Sequence, residues 1–103
     1  MGLFDFLKVP DINNGVKEFR ETEGAYLLDV RTKTEYKEGF IRGSVNIPLD
    51  EILKVEGKIK DKDAPIFIYC RSGNRAGTAV KLMKQMGYSN VKNIGGIISY
   101  RGN

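Results

Sequence analysis

The chain holds a single thiol, Cys70, and no histidine. Those two facts confine its chemistry. Serine–histidine and cysteine–histidine pairs are excluded, as are histidine-ligated zinc and iron sites. One cysteine supplies too few ligands for a zinc cage within the chain and no partner for an internal disulfide, so no metal site is expected. A nucleophile here must be activated by fixed charges and dipoles. The stretch Cys70-Arg71-Ser72-Gly73-Asn74-Arg75 offers both. It runs from an apolar segment into a helical one, and the unpaired N–H groups of a helix start, with the dipole behind them, attract anions. Gly73 and Asn74 are residue types that tolerate left-handed backbone, which lets successive amides turn inward as a nest. Arg71 and Arg75 add full positive charges. Cys70 is therefore the candidate catalytic residue, with Arg71, Ser72, Gly73, Asn74 and Arg75 as candidate anion-binding residues.

A magnitude decides what such a loop contributes. A thiol at a helix N-terminus whose pKa falls by about 2 units gains about 25-fold in thiolate fraction at neutral pH. Its intrinsic nucleophilicity falls about tenfold over the same range. The net benefit is a few-fold, so orienting an incoming anion and stabilising charged sulfur matter more. A lone cysteine is more often a small hydrophobe ending a buried strand. The glycine-containing loop, the two arginines and the helix start argue against that reading here.

The elements that must position this loop can be read from periodicity. Ile66-Phe67-Ile68-Tyr69-Cys70 is the strongest strand, β-branched or aromatic almost throughout. From Arg75 the spacing of Ala76, Ala79, Val80 and Met83 is helical, with Gly87 as its stop. Cys70 thus falls at the carboxyl end of a parallel strand, where open α/β sheets place their sites. Upstream, Asp11 can cap a helix with Ile12, Val16 and Phe19 on one face, ended by Gly24. Ala25 to Val30 reads as a buried strand. Thr32-Lys33-Thr34-Glu35 is a capping box opening a short helix that ends by Gly39. Ser44 to Ile47 is extended until Pro48 stops it. Asp50 to Val55 reads as another short helix, Val91 to Ile94 as a last strand, Gly95-Gly96 as a sharp turn, and Ile97 to Tyr100 as a closing helix or turn. This alternation argues for an α/β domain with a mainly parallel sheet.

The composition agrees with one globular domain. Of 103 residues, 41% are hydrophobic and 29% charged, enough to bury roughly two-thirds of the unfolded surface without a staple. The net charge of +4 favours small anions or acidic partners; its scattered lysines, such as Lys54, Lys58, Lys60 and Lys62, do not point to nucleic acid. Residues 1–10 form an apolar N-terminal segment and 11–103 the domain. The segment lacks the basic start and long apolar run of a secretory signal, and no stretch approaches the ~20 apolar residues of a membrane span. The expectation is a cytoplasmic protein, with Leu3, Phe4, Phe6 and Leu7 docked onto the domain body.

Cys70-Arg71-Ser72-Gly73-Asn74-Arg75-Ala76-Gly77 resembles the active-site loop of rhodanese-like domains. Leu28-Asp29-Val30-Arg31 through Glu35-Tyr36 is similar to that family's first signature, and Gly39-Phe40-Ile41-Arg42-Gly43-Ser44-Val45-Asn46-Ile47-Pro48 to its second. Gly87-Tyr88-Ser89-Asn90-Val91 through Gly95-Gly96 resembles its closing segment. The match runs from about Ile12 to Tyr100, with the motifs in order. The resemblance implies a rhodanese-like fold, a five-stranded parallel sheet with helices on both faces. It implies thiosulfate sulfurtransfer without a cofactor: Cys70 takes the outer sulfur of thiosulfate or a persulfide donor and passes it to cyanide or a thiol acceptor, small or borne by a protein. It also implies that the amides of Arg71 to Arg75 cradle the sulfur, and that Asp29 and Arg31 lie close enough to support the loop through charged hydrogen bonds. A strand end and a surface ion pair are the alternative for those two. Phe40 and Arg42 depart from the second signature, which usually has histidine and proline there; that histidine is taken as structural, and Arg42 would add charge at the rim.

Two other functions compete. A non-catalytic sulfur relay or binding module would carry sulfur on Cys70 and turn over thiosulfate poorly. A phosphatase or arsenate reductase would share the fold, but its loop spaces cysteine and arginine one residue further apart. The shorter ring here suits one sulfur atom and crowds a tetrahedral phosphoryl group.

Overall fold

The computed structural model describes residues 10–102. The docking expected of Leu3, Phe4, Phe6 and Leu7 lies outside the described residues. Among the described residues, four strands, β1 (Tyr26–Asp29), β2 (Ser44–Asn46), β3 (Ile66–Cys70) and β4 (Val91–Gly96), form one sheet in the order β2-β1-β3-β4, with every neighbouring pair parallel. Within the described residues, four helices, α1 (Ile12–Glu21), α2 (Lys33–Glu38), α3 (Val55–Lys58) and α4 (Asn74–Gln85), make the connections with two 3-10 turns, Leu49–Lys54 and Ile97–Ser99.

Strand periodicity distributes the core. In β3, Phe67 and Tyr69 pack with Ile12 and Val16 of α1, while Ile66, Ile68 and Cys70 pack with Ala76, Ala79 and Met83 of α4. All five residues of β3 are buried, as a parallel strand covered on both faces requires. The alternation sends the Cys70 side chain toward α4. Helices therefore do cover both faces, as expected.

The fifth strand does not appear among the described residues. The four extended segments read from the sequence each became a strand, the two central ones apolar nearly throughout and the two edge ones mixed. What remains between β2 and β3 is helical or polar: a 3-10 turn kinked at Glu51 (φ −116°, ψ 22°) feeds α3. The helix expected over Asp50–Val55 is thus two pieces with different hydrogen-bonding patterns.

The ends of the other elements carry the local chemistry that set them. Asp11 caps α1 by accepting from the Asn13 amide at 2.9 Å. The capping box of α2 is complete, with Thr32 Oγ1 accepting from the Glu35 amide at 3.1 Å and Glu35 Oε1 accepting from the Thr32 amide at 3.0 Å. Gly95 and Gly96 are not a turn. They are the last residues of β4, paired with Tyr69 and Cys70, and Gly96 is extended at φ −125°, ψ 139°. Among the described residues no helix is long and apolar enough to cross a membrane.

Candidate active site

The strand order places a reversal between β1, which leads outward to β2, and β3, which leads to β4. Crevices at such reversals, beyond the carboxyl ends of the strands, are where open α/β sheets bind ligands. Asp29 ends β1 and Cys70 ends β3, so both come to the same edge. The backbone then turns through Gly73 at φ +105°, ψ −15°, which is left-handed, and enters α4. Asn74 is the first helical residue, so the left-handed position expected of Gly73 and Asn74 falls on Gly73.

Gly73 is also the N-cap of α4, and it brings no side chain to satisfy the helix's first amides. A serine or aspartate there would accept from the second or third helical N–H. Here the sulfur of Cys70 does so instead. Sγ accepts from the Gly73 amide at 3.0 Å and from the Ala76 amide, the third of α4, at 3.4 Å. The thiol is buried, at 1% exposure for the residue, because its own loop wraps it. Of the stretch Arg71–Arg75 expected to cradle the sulfur, Gly73 supplies a bond, and Ala76 adds one from beyond it. Negative charge on Sγ is stabilised by two N–H donors and the positive end of a 12-residue helix.

The loop is held in place from the end of β4 and the 3-10 turn that follows it. Arg71 O accepts from the Ile98 amide at 3.1 Å. Gly96 lies so near that an added Cβ would sit 2.2 Å from Arg71 O and 2.5 Å from Ser72 Cα. The close approach, not a turn, is what requires glycine at 96. Arg71, Ser72 and Asn74 are exposed. Arg71 opens onto a cleft of about 390 Å³ shared with Arg31, Glu38, Phe40 and Ile98.

The two arginines of the loop have different fates. Arg75 makes a two-bond ion pair with Glu35, Nη1 to Oε1 at 2.7 Å and Nη2 to Oε2 at 2.9 Å. The capping box that opens α2 thereby also anchors the first turn of α4. Arg75 remains close enough for the Cys70 charge to raise its own pKa, after the larger effect of Glu35. Its guanidinium is a clamp with a long-range field rather than an open hand for the donor.

Asp29 and Arg31 form a buried pair, at 0% and 6% exposure. Arg31 Nη2 donates to Asp29 Oδ2 at 2.7 Å and to the Gly39 carbonyl at 2.7 Å, and Nε donates to both carboxylate oxygens. The guanidinium lies 5.7 Å from the Tyr69 ring centre. These contacts brace the end of β1 against the end of α2. Arg31 shares the cleft wall with Arg71, yet its hydrogen bonds go to Asp29 and Gly39 and not to the loop, and burial rules out the surface ion pair.

The Glu35–Arg75 clamp has a pH signature. Arg75's hydrogen bonds push the Glu35 carboxyl down to about 2, with the Thr32 amide assisting. A carboxyl lowered by folding contributes stability above its ordinary range near 4.5, and that contribution is lost as pH falls toward about 2. With both side chains partly exposed, about 1 kcal/mol is expected. Glu35→Gln should lower Tm by about 4–8 °C at pH 7, and the deficit should shrink between pH 5 and 2. Thermal melts across that window check it; a constant deficit would detach the clamp from stability.

Sequence reasoning missed the Glu35–Arg75 pair, the Ala76 amide and the support from β4. Glu35 was visible as a cap and Gly96 as a glycine pair, but contacts across 40 and 25 residues leave no local signal.

The Rhodanese-like domain family model matches residues 13–101. The chain is 43% identical over 89 residues to a rhodanese domain-containing protein of Drosophila melanogaster, covering 74% of this chain and 80% of that one. It is 34% identical over 71 residues to the thiosulfate sulfurtransferase PspE of Escherichia coli, covering 68% of each. A solved rhodanese with anions from E. coli superposes with a TM-score of 0.72 at 30% identity, covering 77% of this chain and 94% of that one.

Proposed function

The chain belongs to the rhodanese-like domain family of sulfurtransferases, and we propose that it moves a sulfane sulfur from thiosulfate or a persulfide donor to a thiol acceptor through a persulfide on Cys70. The observation that carries this reading is the sulfur of Cys70 standing as the capping acceptor of α4, held by the Gly73 and Ala76 amides.

The steps balance without an added oxidant or proton source. The Cys70 thiolate attacks the outer sulfur of thiosulfate, the S–S bond of the donor breaks, and its electron pair leaves with sulfite. Cys70 then carries a terminal sulfur with one negative charge. An acceptor thiolate attacks that sulfur, the new bond to Sγ breaks, and the electron pair returns to Cys70. The charge moves one atom outward and back, always beside the amides at the head of α4. Fixed donors of this kind need no reorganisation as charge shifts. Exposed Arg71 and the net charge of +4 draw an anionic donor.

Enclosure of the thiol supports a donor that presents a single atom. A phosphoryl group with its tetrahedral oxygens needs a wider ring, which disfavours the phosphatase and arsenate reductase readings. The relay reading has one observation in its favour. Phe40 and Ile98, 46% and 63% exposed, line the cleft beside Arg71 and suit an apolar protein surface better than a small anion. A reducing, cytoplasmic setting would keep the lone thiol available.

Intact-protein mass after thiosulfate treatment tests the proposal. A gain of one sulfur, about 32 Da, lost again on adding cyanide, is expected; an unchanged mass would sink it. Rapid cyanide turnover would favour the enzyme, and a stable persulfide with negligible turnover the relay.

A further inference from the structure

β4 carries an irregularity opposite the most critical part of β3. Ile68 pairs with Asn93, but Tyr69 pairs with Gly95, so Ile94 is the extra residue of a bulge. Bulges of this kind bend a strand and re-aim a side chain, and they gather beside active sites. Here the re-aimed side chain is Asn93. Its Nδ2 donates to the Gly73 carbonyl at 3.0 Å, and its Oδ1 accepts from the Gly95 amide at 2.9 Å. One planar amide therefore ties the bulge at Gly95, itself at φ +108°, to the left-handed glycine of the active-site loop.

Gly73 is where the geometry of the sulfur cradle is decided. Its N–H donates to Cys70 Sγ. Its carbonyl accepts the first intrahelical bond of α4, from Gly77 at 3.0 Å, and it takes the Asn93 bond as well. A glycine is the residue with most backbone freedom to lose. As an N-cap without a side chain it lacks the capping bond that would fix its dihedrals from within the loop, beyond its bonds to Sγ and to Gly77. Asn93 adds a restraint from 20 residues away in sequence.

We propose that Asn93 is a positioning residue for sulfur transfer, clamping the Gly73 carbonyl so that the Gly73 and Ala76 amides converge on the Cys70 sulfur. Asn93 does not touch the donor; it acts through Gly73. The assignment rests on the Cys70 persulfide reading and adds to it a specific origin for the cradle's rigidity. It also accounts for the bulge, which an ordinary edge strand of this sheet would not need.

The side chain's two hydrogen bonds can be separated. In Asn93→Asp the carboxylate still accepts from the Gly95 amide, which keeps the bulge, but at pH 7 it has no proton to donate to the Gly73 carbonyl. The experiment follows persulfide formation by mass at a fixed, subsaturating thiosulfate concentration, with a thermal melt of each protein. Asn93→Asp should form the persulfide at least tenfold more slowly than the wild type at pH 7 while melting cooperatively. As pH is lowered toward 4 the variant's carboxyl gains a proton and can donate again. The ratio of variant to wild-type rate should therefore rise toward one. Repulsion between the new carboxylate and an anionic donor would fade over the same pH range, so the slowing is assigned to the lost bond only where the uncharged Asn93→Ala shares it at pH 7. Asn93→Ala, which loses both bonds without adding charge, carries the test if the aspartate variant does not fold, and should show the same slowing at pH 7. Wild-type protein that gains sulfur alongside folded variants that gain it equally fast would overturn the role of Asn93 alone. Wild-type protein that gains none would overturn the persulfide reading beneath it.

Discussion

Cys70→Ala is expected to abolish sulfur transfer, with turnover of thiosulfate and cyanide falling by on the order of 10³-fold or more and no 32 Da gain, since no other thiol exists in the chain to form the covalent intermediate. The alanine variant also leaves the amides of Gly73 and Ala76 without their acceptor in a buried setting, which costs about 1–3 kcal/mol. Cys70→Ser separates the two effects. Its hydroxyl can accept from the same amides, so it should melt within about 1 kcal/mol of the wild type while remaining inactive. Turnover, intact mass and thermal melts on the three proteins decide the matter. Activity retained in the serine variant would remove Cys70 from the chemistry.

Gly96→Ala is expected to be nearly as damaging without touching the thiol. Ordinary Cβ contacts begin near 3.4 Å, and this one would lie at 2.2 Å from Arg71 O. The atom in the way is backbone, so it cannot swing aside as a side chain would. Moving Arg71 and Ser72 by more than an ångström displaces Gly73, whose amide is bonded to the sulfur. A misplacement of about 1 Å at a reacting centre can cost about 10²-fold, and that loss of turnover is expected, with a stability loss of about 1–3 kcal/mol from overpacking. Gly57→Ala is the matched control. Gly57 lies in α3 with open space around its Cβ direction, and the substitution should leave turnover unchanged and stability equal or higher by up to about 1 kcal/mol. Turnover and melts compare the pair; equal activity in both variants would show that the loop tolerates the shift.

Both variants act on one short segment from opposite sides, and its design explains why the sulfur is buried. An N-cap glycine leaves two amides unclaimed, the preceding strand delivers a sulfur to them, and β4 presses the loop onto that arrangement. The Glu35–Arg75 pair closes the remaining side. On the proposed persulfide route the incoming atom would enter the field of α4.

Much of this was legible in the residues themselves. Hydrophobic runs marked the two central strands, β1 and β3, because a parallel strand buried on both faces has to be apolar nearly throughout. The half-buried edge strands β2 and β4 were marked instead by the glycines and the proline beside them. The capping box at Thr32 and the cap at Asp11 were readable because a helix start is satisfied by residues within one turn of it. Cys70 at a strand end before a glycine and a helix start was readable for the same reason: amide, dipole and thiol are neighbours in sequence. Tertiary structure alone decided what steadies them. Arg75 reads as an open charge until α2 brings Glu35 against it, and Gly96 reads as a turn until β4 lies beside Arg71. Asn93 reads as an ordinary strand residue until a bulge aims it at Gly73. Those contacts join segments 20 to 40 residues apart, and no local period encodes them. They arise only when the sheet closes, since the geometry of close approach belongs to the packed backbone and not to any single stretch of it.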